Sequence, residues 1–199
     1  MPDVSLTKFV DFVSKAGTPK YTVVKQWKHQ LPYNPATDFY KPIRDEIITM
    51  HQQNLSTSQL IKFASKISDQ KKQSVYPEII EGYKKWVGRK KAVWFDPPQG
   101  KWNHLSLNVS VNPEIGLTIN DISYIVKLYF KSDPLAKNRI EIVTHLMGEV
   151  FQEHFKDGYK MAVLDIRQSK LITPTIPISG LTHQLEAEAA YWMSLWEKI

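Results

Sequence analysis

Residues 91–131 read KAVWFDPPQGKWNHLSLNVSVNPEIGLTINDISYIVKLYFK, and their alternation decides the fold class. Leu105, Leu107, Val109 and Val111 alternate with Ser106, Asn108 and Ser110. A period of two puts the apolar side chains on one face of a strand. Asn112-Pro113-Glu114 then reads as a turn, because proline presets φ at an early turn position. Ile115, Leu117 and Ile119 resume the alternation, and Asn120-Asp121 makes a second turn. In the third strand, Ile122, Tyr124, Val126, Leu128 and Phe130 share one face, with Ser123, Ile125, Lys127 and Tyr129 on the other. Lys127 is the main polar interruption, so this strand is expected to be central and covered on both sides. Three strands with short turns predict an antiparallel meander. Val93 to Phe95, before Pro97-Pro98, adds a further strand.

Outward from this stretch the periodicity becomes helical. Ser5 caps a helix stopped near Gly17, and Thr18-Pro19 opens a second. Residues 32–35 read as a loop. Pro42 opens a helix carrying Ile43, Ile47 and Met50, which stops at Asn54. Pro77 opens or kinks a helix carrying Ile79, Ile80, Tyr83 and Trp86, stopped by Gly88. Beyond the strands, residues 138–155 form an amphipathic helix through Ile140, Val143, Met147 and Phe151. Met161 to Ile166 is a strand that turns back into Lys170 to Thr173, and Gly180 precedes a terminal helix with Leu185, Trp192, Leu195 and Trp196. The expectation is an α+β fold with a helical N-terminal half packed on a mostly antiparallel sheet. With 199 residues, 1–199 read as a single domain, 1–90 its helical part and 91–199 its sheet-containing part.

The net charge of +6 and a pI near 9.3 permit attraction to nucleic acid or another anionic surface. The chain has no cysteine, which removes disulfides, thiolate metal sites and a cysteine nucleophile. No apolar run approaches the ~18–20 residues of a membrane span, and the first residues show no basic region followed by an apolar one. A cytoplasmic protein without membrane partners is the expectation. No Gly-rich phosphate loop, G-x-S-x-G or H-E-x-x-H motif is present.

Three groups of residues bear on chemistry. Lys84, Lys85, Trp86, Arg89, Lys90 and Lys91 combine five cations with an aromatic ring, a pattern suited to phosphates and a stacked base. The same cations also suit a helix C-terminus, where the macrodipole favours them, and Trp86 fits the apolar stripe. Lys127 and Asp165 fall among apolar residues, where an unpaired charge is costly, so each calls for a partner or a solvent-filled cleft. Glu141, His145, Glu149 and Glu153 share one helix face, either as two metal-ligand candidates or as an ordinary polar face.

The order helix, three strands, helix, strand resembles the core of the PD-(D/E)XK nucleases. In that family an acid and then an acid-x-Lys, on the second and third strands, hold a divalent metal and position the attacking water. Pro113-Glu114 resembles the first element and Lys127 the lysine. Ile125 stands where the family has its second acid, and an aliphatic side chain cannot ligate Mg²⁺. The resemblance implies catalytic positions Glu114, Lys127 and Asp165, and metal ligands Glu114, Asp121 and Asp165, with Mg²⁺ or Mn²⁺ as the cofactor only if the nuclease pattern holds; none is otherwise evident. Two functions stay open. One is a nucleic-acid-associated protein, binding DNA or RNA, with a degenerate core of this kind. The other is a non-catalytic interaction module that self-associates through its aromatic C-terminal helix.

Overall fold

Asn120 and Asp121 both take positive φ, 50° and 62°, the signature of a type I′ turn whose twist matches that of paired strands. They close the hairpin of β5 (Ile115–Ile119) and β6 (Ile122–Tyr129) in the computed structural model, which describes residues 2–31 and 34–199. Pro32 and Tyr33, at the start of the expected 32–35 loop, lie outside the described residues. The fold is α+β with two mixed sheets, and most strand pairs are antiparallel.

The larger sheet runs β2 (Ala92–Phe95), β5, β6, β7 (Lys160–Asp165), β8 (Lys170–Ile172), with β6 and β7 parallel. The smaller runs β1 (Asp3–Ser5), β4 (Leu107–Val111), β3 (Gly100–His104). The expected three-strand meander is therefore divided. β4 pairs with β1 and β3, not with β5, and Asn112-Pro113 carries the chain from one sheet to the other. Leu105, expected on the apolar face of that strand, instead sits at φ 52° and 68 % exposed in the turn that folds β3 onto β4. Alternation gives each strand its buried face, but it does not name the neighbour.

Two helical layers cover the larger sheet. On one face, α3 (Lys41–Gln52), α4 (Ser58–Ala64) and α5 (Gln70–Val87) bury Ile47, Tyr83 and Trp86 against Leu117, Val126 and Leu164. On the other, α6 (Lys137–Val150), the smaller sheet, α1 (Leu6–Val13), α2 (Thr18–Lys28) and α8 (Leu181–Lys198) enclose Ile125 and Met161. Neighbouring Ile125 and Val126 thus enter opposite cores, so β6 is the central, doubly covered strand its sequence predicts. Among the described residues no helix is long and apolar enough to cross a membrane.

Helix boundaries follow their signals with two departures. Ser5 and Asp69 cap α1 and α5 by accepting from Lys8 and Lys72 amides, and Gly88 ends α5 at φ 48°. Pro77 lies inside α5, not at its start. The expected 138–155 helix breaks at Phe151 (φ −109°, ψ 45°) into α6 and α7 (Gln152–Lys156). The aromatic terminal helix is docked. Trp192 is fully buried against Phe9 and Phe12, and Lys20 on α2 holds Glu188 at 2.5 Å. Trp192 is a core anchor and offers no surface for self-association.

Candidate functional site

The register of the β5–β6 hairpin brings Ile115 opposite Val126, which sets Glu114, one residue before β5, beside Lys127. The Glu114 amide donates to the Val126 carbonyl at 3.1 Å. Lys127 Nζ donates to Glu114 Oε1 at 2.5 Å and to the Asn112 carbonyl at 3.0 Å, while the Leu128 amide donates to Glu114 Oε2 at 2.8 Å. The side chains keep only 12 % and 18 % exposure. The lone charge expected at Lys127 therefore has its acidic partner, and both carboxylate oxygens are engaged by strong donors.

The remaining members of the nuclease pattern do not join them. Ile125 is fully buried in the core beneath α6. Asp121 sits in the turn at the far end of the hairpin, roughly 20 Å from Glu114 at ~3.3 Å per residue. Asp165 pairs in register with Tyr129 on the next strand and accepts from the Gln168 amide at 3.1 Å, capping the β7–β8 turn. Two strand spacings, about 10 Å, separate it from Glu114. Strand spacing thus sets the backbones of Asp121 and Asp165 apart from Glu114. Among the described residues no three acids or histidines converge to hold a metal. One paired carboxylate does not make an oxygen cage for Mg²⁺ or Mn²⁺.

What Glu114 and Lys127 do share is a position between two hollows. A cavity of about 210 Å³ lies among α1, α3, β6 and α6, lined by Arg44, Lys127, Lys131 and Arg139 with Thr7, Tyr40 and Tyr129. A groove of about 960 Å³ opens beside it, bordered by Trp27, Trp94, Gln52, Gln99 and Asn112. Thr7, Arg44, Glu114 and Lys127 line both. Arg44 holds Asp38 at 2.8 Å, and Arg139 is bonded to Asp11. Lys131 is exposed and has no ion-pair partner among the described residues. Burial pulls the Arg44 pKa down, but the Asp38 hydrogen bond and the charges of Asp38, Glu114 and Asp45 outweigh it, holding the guanidinium above its ordinary value. Burial, opposed by Arg139, raises the Tyr129 hydroxyl, which donates to the Asp133 carbonyl at 2.8 Å. The cavity wall thus mixes apolar side chains with the paired cations Arg44, Lys127 and Arg139, the carboxylate of Glu114, the exposed Lys131 and the hydroxyls of Thr7, Tyr40 and Tyr129.

The basic run lies elsewhere. Ala92 pairs with Ile119, so residues 84–91 stand near the turn end of β5, roughly 15 Å from the Glu114 end. Trp86 is 4 % exposed within the core and has no free face for a base, which removes the expected stacking role. Lys84 pairs with Glu81, and Lys90 donates to the Trp86 carbonyl. Lys85, Arg89 and Lys91 point to solvent. Lys101 is engaged by Asp3 at 2.5 Å.

The Glu141–Glu153 stripe is neither a metal centre nor a solvated face at its middle. His145 is buried, its Nδ1 accepting from the Ile178 amide at 3.3 Å. Its proton therefore resides on Nε2, which faces Thr182 at 2.9 Å and Glu149 at 3.1 Å. Trp102 completes the network by donating to Glu149 at 2.7 Å.

Arg44, Lys131, Arg139 and the two tyrosines escape sequence reading because they are scattered along the chain. One signal was available: Arg44 and Arg139 stand in the opening turns of α3 and α6, where the macrodipole disfavours cations. The chain matches no family model, no curated protein and no solved structure.

Proposed function

We propose that this is a nucleic-acid-binding protein with a PD-(D/E)XK-like core that lacks the metal pair and so binds without cutting. The carrying observation is the Glu114–Lys127 pair at the junction of a cation-lined cavity and a wide groove. Lys127 beside Glu114 supports this reading, since these are the positions that resemble the pattern's lysine and first acid, and the buried Ile125 at the place of the second acid supports its non-catalytic part. Phosphates engage the cleft cations, and binding weakens as salt rises because neutralising phosphates releases counterions.

The test is fluorescence polarisation with labelled single- and double-stranded DNA and RNA, at low and physiological salt, with and without Mn²⁺, followed by inspection for cleavage. Salt-sensitive binding with intact oligonucleotides is expected. Lys131→Glu weakens affinity for every sequence alike and lowers the salt slope by about one. The triple variant Lys84→Glu, Lys85→Glu, Arg89→Glu leaves the cleft intact and separates the two surfaces. Absence of binding at low salt overturns the proposal, and metal-dependent cutting overturns its non-catalytic part.

A further inference from the structure

We propose that the cavity beside Lys127 is a phosphomonoester pocket, taking the terminal phosphate of a strand whose adjoining nucleotides lie in the groove. The inference rests on the nucleic-acid reading and sharpens it from backbone contact to recognition of an end.

Size comes first. At about 210 Å³ the cavity falls below the ~300–1,000 Å³ of sites that enclose whole small molecules. It admits a phosphate-sized group, while the 960 Å³ groove next to it has room for what is attached. Val10, Leu128, Val143 and Val163 give part of its lining an apolar surface beside the polar groups. An end group needs only one exit for the attached chain, and the groove, which shares Thr7, Arg44, Glu114 and Lys127 with the cavity, provides it.

Charge points the same way. A phosphomonoester carries about −1.5 to −2 at neutral pH, against −1 for a diester. Four cations, against the one carboxylate of Glu114, line this small volume. Arg44, Lys127 and Arg139 each have a carboxylate partner, which fixes their positions and leaves guanidinium and ammonium donors to spare. Lys131 supplies the charge that no carboxylate answers. In the groove, Trp94 lies stacked on His51 at 6.5 Å and is half-buried, and Trp27 is half-buried across from it, so rigid aromatic edges border the path of the attached nucleotides.

The experiment compares one single-stranded oligonucleotide in three forms, 5′-phosphorylated, 3′-phosphorylated and hydroxyl at both ends, in a polarisation assay. Inorganic phosphate and a nucleoside monophosphate serve as competitors and as additives in thermal melts. One phosphorylated form is expected to bind at least tenfold tighter than the hydroxyl form. Lys131→Ala, at an exposed position, is expected to shrink that ratio several-fold while the melting temperature without ligand stays put. Arg139→Lys, which keeps charge but loses the planar fork, is expected to shrink it too. If all three forms bind equally with ordinary salt dependence, the pocket is overturned and nucleic-acid binding stands. If no oligonucleotide binds but the nucleoside monophosphate raises the melting temperature, and Lys131→Ala removes that shift, the phosphomonoester pocket stands and the nucleic-acid reading falls. If neither strands nor phosphates have any effect, both fall.

Discussion

His51 shows how a single side chain ties stability to pH. Its Nε2 lies 2.5 Å from the Tyr83 hydroxyl, deep between α3 and α5. Burial lowers its pKa from 6.5 to about 4, and burial raises Tyr83 far above the ordinary tyrosine value, so a neutral phenol and a neutral imidazole share the hydrogen bond. Between pH 6.5 and 4 the unfolded chain takes a proton that the folded chain refuses. Stability is therefore full above pH 6.5 and declines as pH falls toward 4, by up to about 3 kcal/mol. Urea denaturation at pH 7.5 and 4.5 measures it. Wild type should lose about 2–3 kcal/mol more than His51→Gln across that interval; equal losses would refute the assignment. The Glu114–Lys127 pair makes a second residue-scale case. Glu114→Gln takes the countercharge from an ammonium in a largely buried place, leaving it neutral carbonyl acceptors such as that of Asn112, at a cost of about 1–3 kcal/mol. In a double-mutant cycle, Glu114→Gln with Lys127→Met should be destabilised by less than the sum of the singles. Strict additivity would mean that the pair carries no coupling.

At the scale of elements, α5 and α8 reverse what local rules suggest. Helix propensity alone predicts that Gly82→Ala stabilises α5 by about 1 kcal/mol. A Cβ at Gly82, however, would clash with the backbone carbonyl oxygen of Ile166. Moving α5 away from β7 costs more than the propensity gain, so Gly82→Ala should destabilise by about 1–3 kcal/mol in a denaturant titration. A stabilised variant would show that the helix shifts freely. On α8, Trp192→Ala should cost about 3–5 kcal/mol, since the ring is fully buried beside Phe9 and Phe12. Its indole N–H meets no acceptor, so Trp192→Phe should cost much less than Trp192→Ala. These elements also mark what was legible in the sequence. The helical stripe of Ile79, Ile80, Tyr83 and Trp86 named the buried face of α5 because a 3.6-residue period is a local property. The two faces of β6 were legible for the same reason. Strand partners were not, since Leu107, Val109 and Val111 require only an apolar cover, and the β3 hairpin and parallel β1 supplied it in place of β5. That Lys127 calls for an acidic partner was legible from its apolar neighbours; that the partner is Glu114 and not Asp165 was not, since it is the β5–β6 register that sets the two side by side. Arg44 and Arg139 were not, because only the packing of α3 and α6 around β6 brings them to one cavity.

For the whole molecule, the consequence lies in how β6 joins two cores. Ile125 belongs to the cluster containing Phe9, Trp102 and Trp192, while Val126 and Leu128 belong to the one containing Ile47, Tyr83 and Trp86. The same division runs through β7, where Met161 enters the first cluster and Ala162 and Leu164 the second. Losing α6 with the smaller sheet and the helices packed on them would bare one face of a sheet whose other face still carries α3, α4 and α5. The pleat gives neither cluster a backbone of its own, so neither side keeps its strands ordered without the other. The prediction is one cooperative transition, seen at the same urea concentration by tryptophan fluorescence and by far-ultraviolet circular dichroism. Trp192→Ala, made in the first cluster, should shift both curves together and should speed amide hydrogen exchange at Ile79 and Ile80 in the second by the same factor as in α8. Two separate transitions, or exchange in α5 unchanged by Trp192→Ala, would show that the cores unfold independently and that β6 is a boundary between them. A single transition would also bear on the cleft. Its walls come from α1, α3, β6 and α6, elements of both cores, so a ligand held there should raise the midpoint of the whole transition by mass action, whichever core reports it.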